Sequence, residues 1–245
     1  MPIDPNMTIP ARSGPHSGSR ARVSVVIPTW TEAEELPETL RRLKAAAGIR
    51  EIIVADGGSS DATRAVAESV GARWIDAPRG RGRQLRAGCA AATGDVIVML
   101  HADTWVPPNF VEAVLGSLGK ADVVGGGFWK VFRRPTLLLR GSRLKCWLRL
   151  KAGGLVLGDQ GIFVRRAILE RIGGVPDLAI MEEFELCRRL RGEGRLVLAP
   201  ATVVTSERRF RQLGVLRTYA RMWRVSLAYR AGVAPDELKR IYERR

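Results

Sequence analysis

The feature that most constrains the fold is an uninterrupted apolar run, residues 96–100, which ends abruptly in His101, Ala102 and Asp103. A short apolar run with Gly-Asp before it and Pro-Pro after it predicts a strand buried on both faces. Open α/β sheets bind ligands beyond the carboxyl ends of such strands. The run therefore predicts an α/β fold with His101 and Asp103 at a ligand site, where imidazole and carboxylate suit a divalent metal. The alternative is that both residues only begin the next turn.

Strands and helices alternate before this run, and the alternation predicts a mostly parallel sheet. Strands are predicted at residues 23–27 and 52–55, with a short one at 73–76, and helical patterns separate them. Strand–helix–strand units of this length give parallel strands with helices packed on the sheet. The first helix is expected to begin in a capping box at residues 31–34. Neither GxGxxG after the first strand nor GxxxxGK[ST] occurs, so dinucleotide-binding and P-loop functions are disfavoured.

The charge of the chain indicates which partners it attracts. Its 245 residues carry 40 Lys and Arg against 25 Asp and Glu, a net charge of +15. Such an excess attracts nucleic acids, phosphorylated substrates or an anionic membrane surface. The basic residues are scattered without an RNP, KH, zinc-finger or helix-turn-helix pattern, so a specific nucleic-acid partner is disfavoured.

Cysteine usage and the N-terminal sequence indicate the compartment. Three cysteines without CxxC spacing disfavour disulfides and zinc, and they fit a reducing compartment. Residues 1–21 are expected to form a disordered leader, because they lack the apolar stretch of a secretory signal. We therefore expect a cytoplasmic protein.

Four motifs carry a resemblance to a known family: VVIPTWTE at residues 25–32, DGGSSDAT at 56–63, LHAD at 100–103 and EEFEL at 182–186. In this order they resemble family 2 glycosyltransferases, among them small bacterial members without membrane spans. The resemblance implies a GT-A fold, which is Rossmann-like, with a mixed, mostly parallel sheet flanked by helices. It also implies inverting transfer of a sugar, expected to be a hexose, from a UDP- or GDP-sugar to an acceptor hydroxyl, assisted by Mg²⁺ or Mn²⁺. The QxxRW motif of processive synthases is absent, which favours single additions.

The resemblance assigns roles to individual residues. Asp103 matches the second carboxylate of the family's Asp-x-Asp motif and is the first candidate metal ligand, while His101 replaces the first carboxylate. His101 then binds metal or phosphate, or is a hydrogen-bonded histidine at a strand end. Asp159 and Gln160 are expected to contact the acceptor or the leaving group. The residues expected to bind the donor are Pro28, Trp30, Glu32, Asp56, Arg83, Gln84, Ala102 and Asp103.

Several of these donor contacts have structural alternatives. Trp30 is expected to stack on the base, although its apolar bulk also suits a protein core. Asp56 is expected to accept from the base or ribose, and its alternative role is to bind the amides of the turn that follows it. Arg83 and Gln84 lie in a basic segment with glycines, residues 79–86, which either surrounds the diphosphate or forms a solvated loop.

A carboxylate in the first turn of the helix near residue 182 is the candidate general base. Leu186, Cys187 and Leu190 follow Glu183 by three, four and seven residues, so Glu183 is expected on the buried face of that helix. Glu182 is expected to be less buried. The resemblance favours Glu183 as the base, with Glu182 as the second candidate.

The chain is expected to form one domain with an extension. Residues 22–104 would bind the nucleotide-sugar, residues 105–210 would bind the acceptor and supply catalysis, and residues 211–245 would form a helical extension. An amphipathic helix at residues 213–229 either lies at the inner face of the plasma membrane and presents a lipid-linked acceptor, or packs on the sheet or on a second subunit of a homodimer. The competing functions are a nucleotidyltransferase of Rossmann-like fold and a basic nucleic-acid-binding protein.

Overall fold

The computed structural model describes residues 21–243, and the predicted leader lies outside them except for its last residue. Within this range, eight strands form one sheet in the order β3-β2-β1-β4-β7-β6-β8-β5. The strands are β1 (Val23–Thr29), β2 (Ile49–Asp56), β3 (Arg73–Asp76), β4 (Val96–Met99), β5 (Thr104–Trp105), β6 (Val123–Phe132), β7 (Ile162–Arg165) and β8 (Arg195–Thr205).

The sheet is mixed, as the sequence predicts. β1 pairs in parallel with β2 and β4, and β2 pairs in parallel with β3. β7 is antiparallel to both β4 and β6, β8 is parallel to β6, and the short β5 is antiparallel to β8. The predicted α/β fold is confirmed, and the carboxyl ends of β1, β2 and β4 meet at one edge of the sheet.

Helices cover both faces, because alternate residues of each buried strand point to opposite sides. The helices are α1 (Leu36–Ala45), α2 (Thr63–Ser69), α3 (Arg81–Ala91), α4 (Phe110–Leu118), α5 (Ser142–Gly153), α6 (Arg166–Arg171), α7 (Glu182–Glu193), α8 (Arg208–Leu213), α9 (Val215–Arg230) and α10 (Pro235–Glu243). Val25 and Ile27 pack with α1, α2 and α4, whereas Val26 packs with α3, α6 and α7. Short 3-10 turns lie at Leu137–Leu139 and Gly158–Gln160.

A third, smaller apolar cluster attaches the C-terminal helices to the domain. Val225 of α9 and Leu238 of α10 pack with Met181, which directly precedes α7, and Phe184 lies beside them. The Phe184 ring is 5.9 Å from that of Tyr229. The extension therefore packs beside the first turn of α7, where the candidate bases lie.

The predicted capping box at residues 31–34 is wrong. Helix α1 begins at Leu36, and Thr31 has a left-handed backbone with φ of 54°. The loop after β2 satisfies the amides that a cap would have used, because Ser59 accepts from Thr31 N–H and Asp61 accepts from Ala33 N–H. Hydrogen bonds from the loop after β2 thus replace the predicted cap within the helix.

The predicted single helix at residues 213–229 is also different in the structure. Gly214, with φ of 82°, separates α8 from α9.

Three glycines in β6 allow the strands to pack without side chains between them. A Cβ on Gly126 would overlap the carbonyl oxygen of Val197 in the neighbouring strand. We therefore expect Gly126→Ala to destabilise the fold by about 1–3 kcal/mol, the usual cost of overpacking. Urea unfolding measures this. The control is Gly116→Ala in α4, where a Cβ meets nothing within 4 Å; alanine there should stabilise the helix by about 0.5–1 kcal/mol. Equal effects of both variants would contradict the packing explanation.

Candidate active site

The parallel strands bring the predicted donor residues to one sheet edge. Pro28 is half-buried in β1, and Trp30 follows that strand with 47% of its surface exposed, so it is not a core residue. The Arg79 guanidinium lies over the Trp30 ring, 3.5 Å from its centroid. Trp30 thus presents an accessible aromatic surface beside a cation at the carboxyl end of β1.

Asp56 is fully engaged in building the turn after β2. Its carboxylate accepts from the hydroxyl groups of Thr29 at 2.9 Å and Ser59 at 2.5 Å. It also accepts from the amides of Gly58 at 2.8 Å and Ser59 at 2.7 Å. Asp56 is buried. The structural alternative considered for this residue is therefore realised, and a contact with donor stays a prediction.

The basic segment at residues 79–86 is largely helical, because α3 begins at Arg81. Helical geometry turns Gln84 towards the sheet, where its amide donates to the carbonyl oxygens of Thr29 and Ala55. Gln84 is buried and joins β1 to β2, so the structure does not support its predicted contact with the diphosphate. Arg83 is exposed and pairs with Asp177 at 3.0 Å.

Asp103 lies among charges from distant parts of the chain. Arg208 Nε is 3.8 Å from the Asp103 carboxylate, and Arg208 also pairs with Glu32 at 2.6 Å. Arg133 donates to the backbone carbonyl of Asp103 and pairs with Glu35, both at 2.6 Å. Burial raises the pKa of Asp103 to about 6, although Arg208 opposes the shift. Burial also raises the pKa of Glu32.

Ala102 fixes this strand end through its backbone. Its side chain is buried, and its carbonyl oxygen accepts from the Thr39 hydroxyl at 2.6 Å. The bond ties the segment that carries His101 and Asp103 to helix α1. Ala102 therefore positions its neighbours.

His101 faces a different environment from Asp103. It lines a small cavity with Glu182 and Glu183, and a Cβ on Gly158 would lie 2.5 Å from His101 Nε2 and 2.8 Å from Glu183 Oε2. That Nε2 atom is buried without a hydrogen-bond partner. Burial, assisted by Arg81, lowers the pKa of His101 to about 4, so the imidazole is neutral at pH 7.

The two predicted metal ligands, His101 and Asp103, therefore lie in different surroundings. Within residues 21–243, no group of three or more His, Cys, Asp and Glu side chains is arranged to hold a metal. Asp103 still fits a Mg²⁺ or Mn²⁺ ion that takes one carboxylate from the protein and its other ligands from phosphates and water. His101 does not share the surroundings of Asp103, which favours its alternative role as a residue of the strand end.

The prediction that Glu182 is less buried than Glu183 is wrong. The Glu182 side chain is 3% exposed and that of Glu183 is 14% exposed. Arg81 forms an ion pair with Glu182 and contacts Glu183 Oε2 at 3.1 Å. Helix α3 packs closely here because Gly82 has no side chain; a Cβ on it would lie 3.3 Å from Glu182 Cβ. The helix-face prediction considered only the core, whereas α3 covers the opposite side of this turn.

Glu183 has the properties of a general base. Its Oε2 accepts from the Gly158 amide at 3.1 Å and forms an ion pair with Arg81, also at 3.1 Å. Burial raises the pKa of Glu183 to about 7, with Glu182 and Asp159 adding to the shift and Arg81 opposing it. A carboxylate with a pKa near neutrality is suited to accept a proton at physiological pH. These surroundings are compatible with proton transfer, and the role of Glu183 as the base stays a prediction.

The two residues expected to contact acceptor or leaving group have different surroundings. Gln160 is fully buried, accepts from Arg149 at 2.9 Å and donates to the Phe128 carbonyl at 3.1 Å, so the structure gives it a structural role instead. Asp159 pairs with Lys130 at 2.5 Å, and its Oδ1 atom is buried without a partner. Although burial raises the pKa of Asp159, Lys130 lowers it below its usual value.

Three arginines at this site were not among the sequence-predicted residues. Arg81 contacts both candidate bases, Arg133 holds the Asp103 loop, and Arg208 bridges Glu32 and Asp103. Arg208 is 105 positions from Asp103 in the sequence. No local pattern connects such residues, so only the fold identifies them.

The mixed sheet, with candidate catalytic and binding side chains beyond its parallel strands, defines an α/β protein of the GT-A type. The chain belongs to glycosyl transferase family 2, whose model matches residues 24–173. This membership confirms the family suggested by the four motifs. It sets aside the nucleotidyltransferase and nucleic-acid-binding alternatives.

Similar proteins fall in the same class. The chain is similar to undecaprenyl-phosphate 4-deoxy-4-formamido-L-arabinose transferases, with 31% identity for the protein of Enterobacter sp. (strain 638) and 33% for that of Klebsiella pneumoniae subsp. pneumoniae. Each match covers 59% of this chain and 48% of the relative. The chain therefore spans about half the length of the curated relatives it matches.

Solved structures support the fold. The mannosyltransferase PcManGT of Pyrobaculum calidifontis, in complex with GDP-Man and Mn²⁺, superposes with a TM-score of 0.67 at 22% identity, covering 96% of this chain and 71% of that one. Glucosyl-3-phosphoglycerate synthase of Mycobacterium tuberculosis, in complex with Mn²⁺, UDP and phosphoglyceric acid, gives 0.61 at 22% identity, covering 87% and 80%. In the described part of this chain, no helix is long and apolar enough to cross a bilayer.

Proposed function

We propose that this protein transfers a hexose from a UDP- or GDP-sugar to an acceptor hydroxyl, with inversion and with the help of Mg²⁺ or Mn²⁺. The observation that carries the proposal is the placement of Glu183. This largely buried carboxylate, whose pKa burial raises to about 7, lines a small cavity beyond β4 in a family 2 glycosyltransferase fold. The structural neighbours solved with Mn²⁺ and nucleotides support the choice of donor and metal.

The donor would lie at the carboxyl ends of β1, β2 and β4. Trp30 offers a surface for the base, with Arg79 beside it. Asp103 would hold the divalent metal, which neutralises the charge of the leaving diphosphate. Arg208, which pairs with Asp103 and Glu32, would lie beside the diphosphate and could exchange these carboxylates for a phosphate.

Glu183 would take the proton from the acceptor hydroxyl. The Gly158 amide and Arg81 orient its Oε2 atom, and the buried Glu182 holds Arg81 in place. Single-displacement transfer inverts the anomeric carbon, because the hydroxyl attacks opposite the departing diphosphate. Glu182 thus acts as a positioning residue rather than the base, which its ion pair with Arg81 supports.

The acceptor is proposed to be lipid-linked, because the curated relatives are named as undecaprenyl-phosphate transferases. A phosphate acceptor is already ionised at pH 7, whereas a hydroxyl needs a base. The proposed base at Glu183, whose Oε2 atom is held by the Gly158 amide, therefore goes together with an acceptor whose reacting group is a hydroxyl. An enzyme of this kind would act in the cytoplasm, at the inner face of the plasma membrane.

A thermal-shift screen of UDP- and GDP-sugars, with and without Mn²⁺, tests the donor site. A ligand that binds the folded state raises the unfolding temperature by mass action. We expect one donor to raise it only when Mn²⁺ is present. The shift should vanish in Asp103→Asn and persist in the control Asp122→Asn, which changes an exposed carboxylate directly before β6 that pairs with Arg195. If no nucleotide-sugar raises the unfolding temperature, the proposed donor class is wrong.

Trp30→Ala is expected to weaken binding of the nucleoside diphosphate by about 1–3 kcal/mol, the range for aromatic stacking on a base. Its exposure means that the fold should lose little stability. Calorimetric titration of UDP and GDP measures the change. The matched control is Trp223→Ala, because Trp223 is also exposed but lies in α9. An unchanged dissociation constant for Trp30→Ala would exclude stacking by this residue.

A further inference from the structure

Two segments of the chain concentrate its positive charge. Residues 133–157 and residues 208–234 each contain seven Arg or Lys and no Asp or Glu. Together they account for fourteen of the fifteen net positive charges. The segments meet in space, because Lys145 Nζ lies 3.1 Å from the Tyr219 hydroxyl and 4.5 Å from the centroid of its ring. The two segments are therefore neighbours on the folded protein.

The same two segments carry most of the exposed large apolar side chains. In α9, Leu216, Trp223 and Leu227 form an exposed stripe on the side opposite the buried Thr218 and Val225. In the other segment, the exposed apolar side chains are Leu137, Leu138, Leu144, Trp147 and Leu148. We call the surface formed by residues 137–148 and α9 the basic apolar face.

A groove of about 620 Å³ crosses this face. The 3-10 turn at Leu137–Leu139 forms one wall, and the junction of α8 and α9 forms the other, with Leu213 and Leu216 lining it. Leu137 is 78% exposed and Leu216 is 70% exposed, so both present their side chains to solvent. Outward-facing leucines on both walls of an open groove fit acyl chains rather than a polar ligand.

We propose that the basic apolar face docks the protein on an anionic phospholipid bilayer. Leucine and tryptophan side chains flanked by Arg and Lys are typical of helices that lie in the membrane interface. Each basic residue near an anionic surface adds to binding. Arg133, Arg208 and Arg211 pair with carboxylates outside the two segments, and the remaining eleven have no acidic residue within their own segments. A second copy of the chain would instead place like charges against one another. Charge complementarity therefore selects an anionic membrane.

Docking would bring the candidate active site close to the lipid. Arg208, at the start of α8, pairs with Glu32 at the donor edge. Tyr229 of α9 packs on Phe184, next to Glu183. A lipid-linked acceptor could then reach the site without leaving the bilayer. This last consequence rests on the proposed function, whereas docking itself rests on the surface alone.

Co-sedimentation with vesicles tests the docking. The full chain is mixed, without nucleotide or acceptor, with vesicles of phosphatidylcholine alone or with about a third phosphatidylglycerol. We expect sedimentation only with the anionic vesicles, and its loss at about 1 M NaCl, where electrostatic attraction is screened within a few ångströms. Equal binding to both vesicle types, or to neither, would overturn the proposal.

Two double variants locate the contact. Arg221→Glu with Arg224→Glu, and Leu216→Ala with Trp223→Ala, should each weaken partitioning by about tenfold or more. The matched control, Lys44→Glu with Lys120→Glu, makes the same change in net charge at exposed sites outside the two segments, and it should bind nearly as the parent does. Equal unfolding temperatures show that the variants fold. Equal losses in the control and in the α9 charge variant would contradict the assigned face.

A second copy of the chain on the basic apolar face would give different results. A subunit interface predicts that the parent is dimeric in size-exclusion chromatography, that Leu216→Ala with Trp223→Ala makes it monomeric, and that the parent does not sediment with vesicles. That result would show that the basic apolar face is a subunit interface, and it would overturn the proposal of membrane docking. Failure of vesicle binding leaves the donor-dependent thermal shift unaffected, so the failure of docking and the failure of the proposed function are separable.

Discussion

Replacing Glu183 with glutamine is expected to lower turnover by about 10²–10⁴-fold, the usual contribution of positioned proton transfer. Donor affinity should survive, because the amide keeps the shape of the side chain. The fold should not suffer either: burial raises the pKa of Glu183 to about 7, so its charged form is disfavoured in the folded state and a neutral amide relieves that cost. Donor hydrolysis, with water in place of the acceptor, measures turnover.

The pH dependence follows from the same group. A base has to be deprotonated, so turnover should rise as the pH increases through about 7, where Glu183 loses its proton. The residual activity of Glu183→Gln should lack this rise. A parent enzyme that is fully active at pH 5 would contradict the assignment.

The neighbouring carboxylate supplies the control. Glu182→Gln should reduce turnover much less, yet it should lower the unfolding temperature, because Glu182 is buried and pairs with Arg81. If Glu182→Gln were inactive and Glu183→Gln active, the base would move by one residue. If both variants kept their activity, a general base in this helix would be excluded.

Replacing Asp103 with alanine is expected to abolish Mn²⁺-dependent donor binding. Mutation of residues that only support a metal ligand weakens metal affinity by about 10–100-fold, so the loss of a ligand itself should exceed that. The fold should keep its stability. Burial raises the pKa of Asp103 to about 6, so at neutral pH the buried charge is a cost that alanine removes. Arg208 retains Glu32 as its partner.

Calorimetric titration of the donor with and without Mn²⁺ measures this effect. We expect the Asp103→Ala variant to bind the donor equally weakly with and without Mn²⁺. A second variant, Arg208→Ala, separates ion binding from local charge: it removes a cation next to Asp103 and should leave Mn²⁺ dependence in place. Parent-like metal-dependent binding by Asp103→Ala would show that the ion is held elsewhere.

The amino-acid sequence by itself determined the first four strands of the sheet and the family. The buried strands are encoded by continuous apolar runs, and the run at residues 96–100 became β4, which ends one residue earlier. The four motifs identified the glycosyltransferase family that the family match confirms. These features were predictable because hydrophobic runs and short motifs are local, and each can be recognised without knowing which elements later become neighbours.

Only the tertiary structure decided how the side chains of the site are used. Helical periodicity placed Glu183 towards the core, but it could not show that α3 packs over the other side and buries Glu182 with Arg81. The position of Gln84 in a basic segment suggested a contact with the donor. In the structure, the first turn of α3 directs its side chain inward, where it joins β1 to β2.

The same limit applies to contacts across the chain. Arg208 reaches Glu32 and Asp103 from the C-terminal helices, and the Leu216–Trp223 stripe faces outward because Thr218 and Val225 take the packed side of α9. A sequence pattern shows that a helix has two faces but not which face meets the protein. Burial and charge pairing depend on neighbours brought together from distant positions, and the folded chain alone supplies those neighbours.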